Sequence, residues 1–190
     1  MSPFLLLVTG PAGAGKTTAA ATSAASQREP TAHLSLDDVR DFVKSGYANP
    51  EDGWTAEAQR QYELARTACC VLARLYIAAG FNCVVNDVIF PRWRQVSYEA
   101  WRPDLKGIPH QMVVLLPDFA SLPDRNRGRR GHRKLTATTL RTIYDMMVPW
   151  REQDEFPVID TSGMSVEETV QAIQSQLERA GMYNRHGRKS

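Results

Sequence analysis

The residues Gly10-Pro-Ala-Gly-Ala-Gly15-Lys16-Thr17 fit G-x-x-x-x-G-K-[ST] in full. That spacing carries the chemistry of a phosphate-binding loop. Small residues let successive backbone N–H groups curl around phosphate oxygens, and a helix starting directly behind the loop adds its positive dipole end. On this reading Gly10, Ala12, Gly13, Ala14, Gly15 and Thr18 wrap the phosphates. Lys16 reaches the β- and γ-phosphates, and the Thr17 hydroxyl holds Mg2+. The expected ligand is a nucleoside triphosphate. An ordinary glycine-rich turn is the alternative.

Such a loop works only when a strand feeds it and a helix leaves it. The apolar run 4–8 supplies the strand, and a helical pattern over 16–26 supplies the helix. Further strands are expected at 32–36, 82–86, 111–116 and 156–159, with helices at 37–44, 56–79, 92–101, 138–147 and 166–179. In the longest helix Leu64, Ala68, Val71, Leu72 and Leu75 recur at helical spacing, and Gly80 follows as a stop. Leu140, Ile143, Tyr144 and Met147 form one face before Pro149 ends theirs. Ser165-Val-Glu-Glu168 reads as a capping box ahead of the stripe Val166, Val170, Ile173, Leu177. Strands alternating with helices imply βαβ units, hence an α/β fold with a five-stranded parallel sheet covered by helices on both faces.

In a parallel sheet, ligands bind beyond the carboxyl ends of the strands. The residues following each strand there are Asp37-Asp38-Val39-Arg40, then Asp87, then the run Arg125, Arg127, Arg129, Arg130, Arg133, Lys134, then Thr161-Ser162-Gly163. Ser35-Leu-Asp-Asp38 reads as a capping box, which occupies Asp38 and leaves Asp37 to point at the rim. A carboxylate there takes a proton from an acceptor hydroxyl, and Arg40, one turn on, fixes an anionic part of that acceptor. A plain i,i+3 surface ion pair is the competing reading. Asp87 stands where an acid would organise Mg2+ through water, or brace Arg40, or merely end a strand. The cationic run reads as a mobile lid over residues 125–136, with Gly128 and Gly131 as its flexible points, or as a solvated loop, or as a nucleic-acid patch. Of the four tryptophans, Trp54, in the loop Asn49-Pro-Glu-Asp-Gly-Trp54, is the least core-like and is the candidate to stack on an acceptor.

The 190 residues are 43% hydrophobic and 23% charged, enough for a real core in one domain, expected over 1–180 with a basic tail at 181–190. A net charge of +2 argues against a polybasic binder. The composition excludes collagen, coiled coil and an acidic disordered chain. Cys69, Cys70 and Cys83 lack metal-ligand spacing and read as small buried apolar residues of a reducing compartment. The longest apolar run near the start is far too short to span a bilayer, so no membrane partner and a cytoplasmic location are expected.

Together the phosphate loop, Asp37-Asp38-Val39-Arg40, Asp87 and Arg125-Asn126-x-x-Arg129 resemble the kinase domain of bacteriophage polynucleotide kinase. Chloramphenicol phosphotransferase and zeta toxins, in the wider group of small P-loop phosphotransferases, are similar. The likeness runs in order to about Ile173. It implies a nucleoside-monophosphate-kinase-like P-loop fold with a lid. It further implies Asp37 as general base, Arg40 as the acceptor-binding arginine, Asp87 as the residue positioning it, and Arg129 as a contact to the transferred phosphate. The segment 160–163, with Ser162 and Gly163, would border the adenine, and Arg125 would serve the nucleotide from the lid. Outside the lid no basic, aromatic-bearing groove that tracks a strand is evident. The expected activity is therefore ATP-dependent phosphoryl transfer to a hydroxyl of an antibiotic- or nucleoside-like small molecule. A 5′-hydroxyl polynucleotide kinase, with nucleic acid as partner, is the alternative, and a nucleotide-dependent switch without an acceptor a further one.

Overall fold

Leu5-Leu-Leu-Val-Thr9 forms the central strand β1, and all five of its residues are buried. A strand covered on both faces reads as a continuous apolar run rather than an alternating one. The period of two nonetheless decides where each side chain goes: Leu5 and Leu7 join the core under one face, Leu6 and Val8 the core under the other. The computed structural model describes residues 2–128 and 134–182. Within them β2 (Thr31–Ser35), β3 (Asn82–Asn86), β4 (His110–Leu115) and β5 (Val158–Ile159) complete the sheet in the order β2-β3-β1-β4-β5. Every pairing is parallel, with Leu5 in register with Cys83 on one side and His110 on the other.

Helix α1 (Lys16–Ala25) and helix α7 (Val166–Arg179) cover one face. The Ser165 hydroxyl accepts from Glu168 N–H, and the Glu168 side chain accepts from Ser165 N–H, so the capping box forms as expected. Val170, Ile173 and Leu177 are buried beneath it. On the other face lie α2 (Leu36–Arg40), α3 (Ala56–Ala78) and α4 (Tyr98–Leu105). The chain then forms α5 (Leu122–Arg127) and α6 (Ala137–Met147), which buries Leu140 and Met147.

Four details differ from the sequence expectation. Helix α3 turns a different face inward: Leu64, Val71 and Leu75 are 59%, 51% and 63% exposed, while Ala58, Gln61, Tyr62, Ala65, Cys69, Cys70 and Ala73 are buried. Small side chains let the helix lie close to the sheet, and the buried polar heads are hydrogen-bonded. Gln61 donates to Gly46 O and accepts from Ala48 N–H. Helix α2 stops at Arg40 because Phe42 N–H and Val43 N–H bond three residues back, tightening the chain out of the helix. The box at Ser35 does not form. Ser35 is still paired in β2 with Asn86, and its buried hydroxyl makes no bond to the helix. Asp38 is exposed. Finally, α4 starts later than expected, after a 3₁₀ turn over Arg94–Val96 that the Ser97 hydroxyl closes onto Arg94 O.

The three cysteines are buried thiols, as expected. Burial pushes Cys69 and Cys70 up to about 12 and Cys83 up to about 11, so they stay protonated and unreactive. Among the described residues no helix is long and apolar enough to cross a membrane.

Candidate active site

The phosphate loop leaves the sheet between β1 and β4, and Gly10 makes this possible. A Cβ there would overlap the carbonyl oxygen of Leu115, and its φ of 150° is one side chains rarely adopt. Gly13 has φ 82° and Gly15 φ 87°, the latter as the N-cap of α1. Neither a side-chain cap nor an acidic residue occupies the first turn of α1. Its leading N–H groups are thus left for an anion. Lys16 is buried and folds back across the loop, its Nζ donating to Pro11 O at 3.0 Å.

Thr17 and Thr18 are exposed at the helix start. Asn86, the last residue of β3, donates from Nδ2 to Thr17 Oγ1 at 3.3 Å. His33 of β2 lies 2.7 Å from Asn86 Oδ1 through its Nε2, which donates in the tautomer that makes this bond. Two strands thereby hold the Thr17 hydroxyl in place. A hydroxyl oxygen suits Mg2+, which takes hard oxygen ligands and keeps few from the protein. Among the described residues no group of three or more His, Cys, Asp or Glu is arranged for a metal. The Thr17 hydroxyl, held by Asn86, is the described group that would hold such an ion.

Asp37, Arg40, Trp54, Asp87, Lys16 and Ala12 line one cavity of about 690 Å³. Residues far apart in the chain thus meet beside the phosphate loop. Asp87 is buried and accepts three hydrogen bonds: from Tyr62 Oη at 2.5 Å, Trp101 Nε1 at 3.2 Å and Val88 N–H at 2.7 Å. Burial pushes its carboxyl up to about 7, with the Asp37 charge acting in the same sense, while Tyr62, the Val88 N–H and Lys16 pull it down. Burial and the Asp87 charge push the Tyr62 hydroxyl well above its ordinary range. The bracing of Arg40 by Asp87 that the resemblance implies is not formed. Arg40 instead donates to Ala48 O at 3.3 Å and lies over the Tyr47 ring at 5.4 Å. The reason is that α3 and α4 bring Tyr62 and Trp101 to Asp87 first.

On the far side of the loop, Arg125 donates to Thr161 O at 3.2 Å. Ser162 N–H donates to Asp160 Oδ1 at 2.9 Å, the Ser162 hydroxyl accepts from Asp118 N–H at 2.7 Å, and Gly163 is exposed with φ 68°. The Ser162 hydroxyl and backbone N–H hold the Asp160 carboxyl below its usual range. Arg125, Ser162 and Gly163 are thus near one another and do not line the cavity of Asp37. At the lid, the Asn126 side chain donates to Leu135 O at 2.8 Å and accepts from Leu135 N–H at 3.2 Å. One side chain ties together the two ends of the cationic loop. Arg129, Arg130, Gly131 and Arg133 lie outside the described residues, as does the basic tail from 183 onward.

Sequence reasoning did not single out Asn86, Tyr62 or the bond pattern of Asn126. Asn86 carried a weak signal, since it ends a strand directly before Asp87. Tyr62 carried none beyond helical spacing.

A family model described as AAA domain matches residues 5–149. This chain belongs to that family. Among curated protein sequences none matches this AAA domain. Solved structures share its fold. A gluconokinase from Sinorhizobium meliloti 1021 matches with TM-score 0.67 and 18% identity, over 94% of each chain. Shikimate kinase from Acinetobacter baumannii, solved with shikimate, matches with TM-score 0.64 and 20% identity over 96% of this chain and 97% of that one. Thymidylate kinase from Candida albicans matches with TM-score 0.66 and 12% identity over 96% and 94%. The fold is that of the nucleoside-monophosphate-kinase-like P-loop proteins, and the AAA domain shares it with small kinases. These matches are coarser than the resemblance to polynucleotide kinase, chloramphenicol phosphotransferase and zeta toxins, and do not single those out.

Proposed function

We propose that this AAA domain is an ATP-dependent kinase that phosphorylates a hydroxyl of a small molecule, antibiotic- or nucleoside-like. The observation that carries the reading is one cavity lined by Lys16 and Ala12 of the phosphate loop at one end and by Asp37, Arg40 and Trp54 beyond it. A carboxylate, a guanidinium and a phosphate-seeking lysine around one space are the parts that phosphoryl transfer needs.

The loop and the α1 N-terminus bind the triphosphate, and Lys16 leaves Pro11 O to meet the β- and γ-phosphates. The Thr17 hydroxyl would hold Mg2+, which would supply positive charge to the triphosphate when bound. Asp37 orients the acceptor hydroxyl and receives its proton. The acceptor oxygen bonds to the γ-phosphorus as the bond from that phosphorus to the bridging oxygen breaks, giving a phosphate monoester and ADP. Arg40 holds the acceptor, Trp54 stacks on it, and Arg125 and Arg129 of the lid meet the nucleotide and the transferred group. Asp87 lines the acceptor side as a hydrogen-bonded buried acid. Positioning and electrostatics do nearly all the work, because the loose transition state asks for little covalent help.

The test is transfer of label from γ-labelled ATP, with Mg2+, to hydroxylated antibiotics and nucleosides and, in parallel, to short 5′-hydroxyl DNA and RNA. Label is expected in the small-molecule set. Asp37→Asn should cut turnover by about 10² or more while ATP binding persists. Full turnover in that variant would refute the base assignment. Label in oligonucleotides, with affinity falling steeply with salt, would replace the small-molecule acceptor with a nucleic-acid end. Slow phosphate release without label in either set would point to a switch.

A further inference from the structure

The cavity beyond the phosphate loop is walled by rings. Trp54 and Trp93 meet at 4.7 Å between centroids and 64°, Trp54 and Tyr62 at 5.8 Å and 62°, and Phe90 and Trp93 at 5.4 Å and 39°. All four line the cavity, with Ile143 and Met146 of α6. Trp54 and Trp93 are half-buried and pack against the main core, so the wall is fixed before anything binds. Charge is confined to a few of the lining residues, among them Lys16, Asp37, Arg40 and Asp87. Two buried donors of this lining, Trp54 Nε1 and Arg40 Nε, have no acceptor among the described residues.

We infer that the acceptor is a hydroxyl compound built on a planar, largely apolar ring, which lies against the Trp54–Trp93 wall while its hydroxyl faces Asp37. The inference rests on the kinase reading above and specifies its substrate. Aromatic walls favour flat ring faces through offset or edge-on contact. A polyol buried here would carry hydroxyls that Trp, Phe, Ile and Met cannot satisfy, each one a lost hydrogen bond with water. The volume of about 690 Å³ is that of a drug-sized ligand site.

The experiment uses the full chain with ADP and Mg2+, and reads binding by saturation-transfer NMR. The ring-bearing probes are thymidine and 2-(4-nitrophenyl)ethanol, and the polyol probes are glucose, gluconate and shikimate. Transfer from labelled ATP to the same probes is read separately. The ring-bearing probes should bind at least tenfold more tightly than the polyols. Trp54→Leu, which keeps apolar bulk without a ring, should weaken them at least tenfold, and Trp54→Phe should recover most of that loss. Trp93→Leu gives the same readout should Trp54→Leu fail to fold. Polyol binding equal to or tighter than ring binding, binding of neither set, or Leu variants within twofold of wild type would overturn the inference. Transfer to a polyol would overturn it while leaving the kinase reading intact. Ring binding that depends on Trp54, without transfer to any probe, would sustain the ring preference of the cavity and overturn its occupant as an acceptor together with the kinase reading.

Discussion

Asn86 shows how one side chain prepares another. Its amide holds the Thr17 hydroxyl from one side, and His33 fixes that amide in turn. Removing such a supporting group typically weakens metal binding about 10- to 100-fold. Asn86→Ala should therefore raise the Mg2+ concentration that half-saturates the ATP complex by about tenfold, read by calorimetric titration of Mg2+ into protein with ATP. An unchanged titration would remove Asn86 from this role. Asp87 makes a second prediction, in stability against pH. Its carboxyl titrates at about 7 in the folded chain against an ordinary value of 3.8. Between those values the folded state holds a proton that the unfolded chain has released, so stability from this group is full below about pH 4 and is lost as pH rises through 7. Denaturant midpoints should fall across that window. Asp87→Asn, which cannot ionise, should flatten the decline, and a decline of the same size in the variant would assign it to other groups.

Helix α3 carries the clearest lesson about elements. Its leucine and valine positions obey helical spacing, yet they face outward, and the inward face is built of Ala, Cys, Gln and Tyr. Periodicity alone cannot choose between two such faces when both carry apolar residues. The choice went to the face that lies close to the sheet and hydrogen-bonds to Asp87 and the segment at Gly46 to Ala48. Leu75→Gln should therefore change stability by less than about 0.5 kcal/mol. Ala73→Leu, at a fully buried position, should cost about 1–3 kcal/mol by overpacking. Urea denaturation of the two variants decides the matter, and the opposite ranking would reverse the orientation of the helix. Helices α2 and α4 missed their expected bounds for a related reason. Hydrogen bonds reaching three residues back, from Phe42 and Val43 N–H and from the Ser97 hydroxyl, end the first and delay the second where propensity does not.

Across the whole molecule the sheet order brings β1, β3 and β2 side by side, which sets the phosphate loop, Asp87 and Asp37 along one rim. A ligand that binds only this folded arrangement stabilises it by mass action. ATP with Mg2+ at a hundred times its dissociation constant should add about 2.7 kcal/mol, visible as a rise in thermal midpoint. Lys16→Ala should abolish most of that rise, and an undiminished rise would mean that the nucleotide binds elsewhere.

The phosphate loop, the five strands, the capping box at Ser165 and the buried state of the cysteines were readable from order and spacing, because each depends on neighbours close in the chain. Lys16, Asp37, Arg40 and Asp87 were readable as candidates on one rim, because parallel topology puts strand ends together, and Trp54 only as the least core-like of the tryptophans. What the chain order could not reveal was partnership across elements. Asp87 pairs with Tyr62 and Trp101 rather than Arg40, Asn86 with Thr17, and Asn126 with Leu135. These bonds join residues 9 to 69 positions apart. They arise only when packed helices have fixed which buried donor reaches which acceptor, and a buried polar group takes the partner that packing delivers.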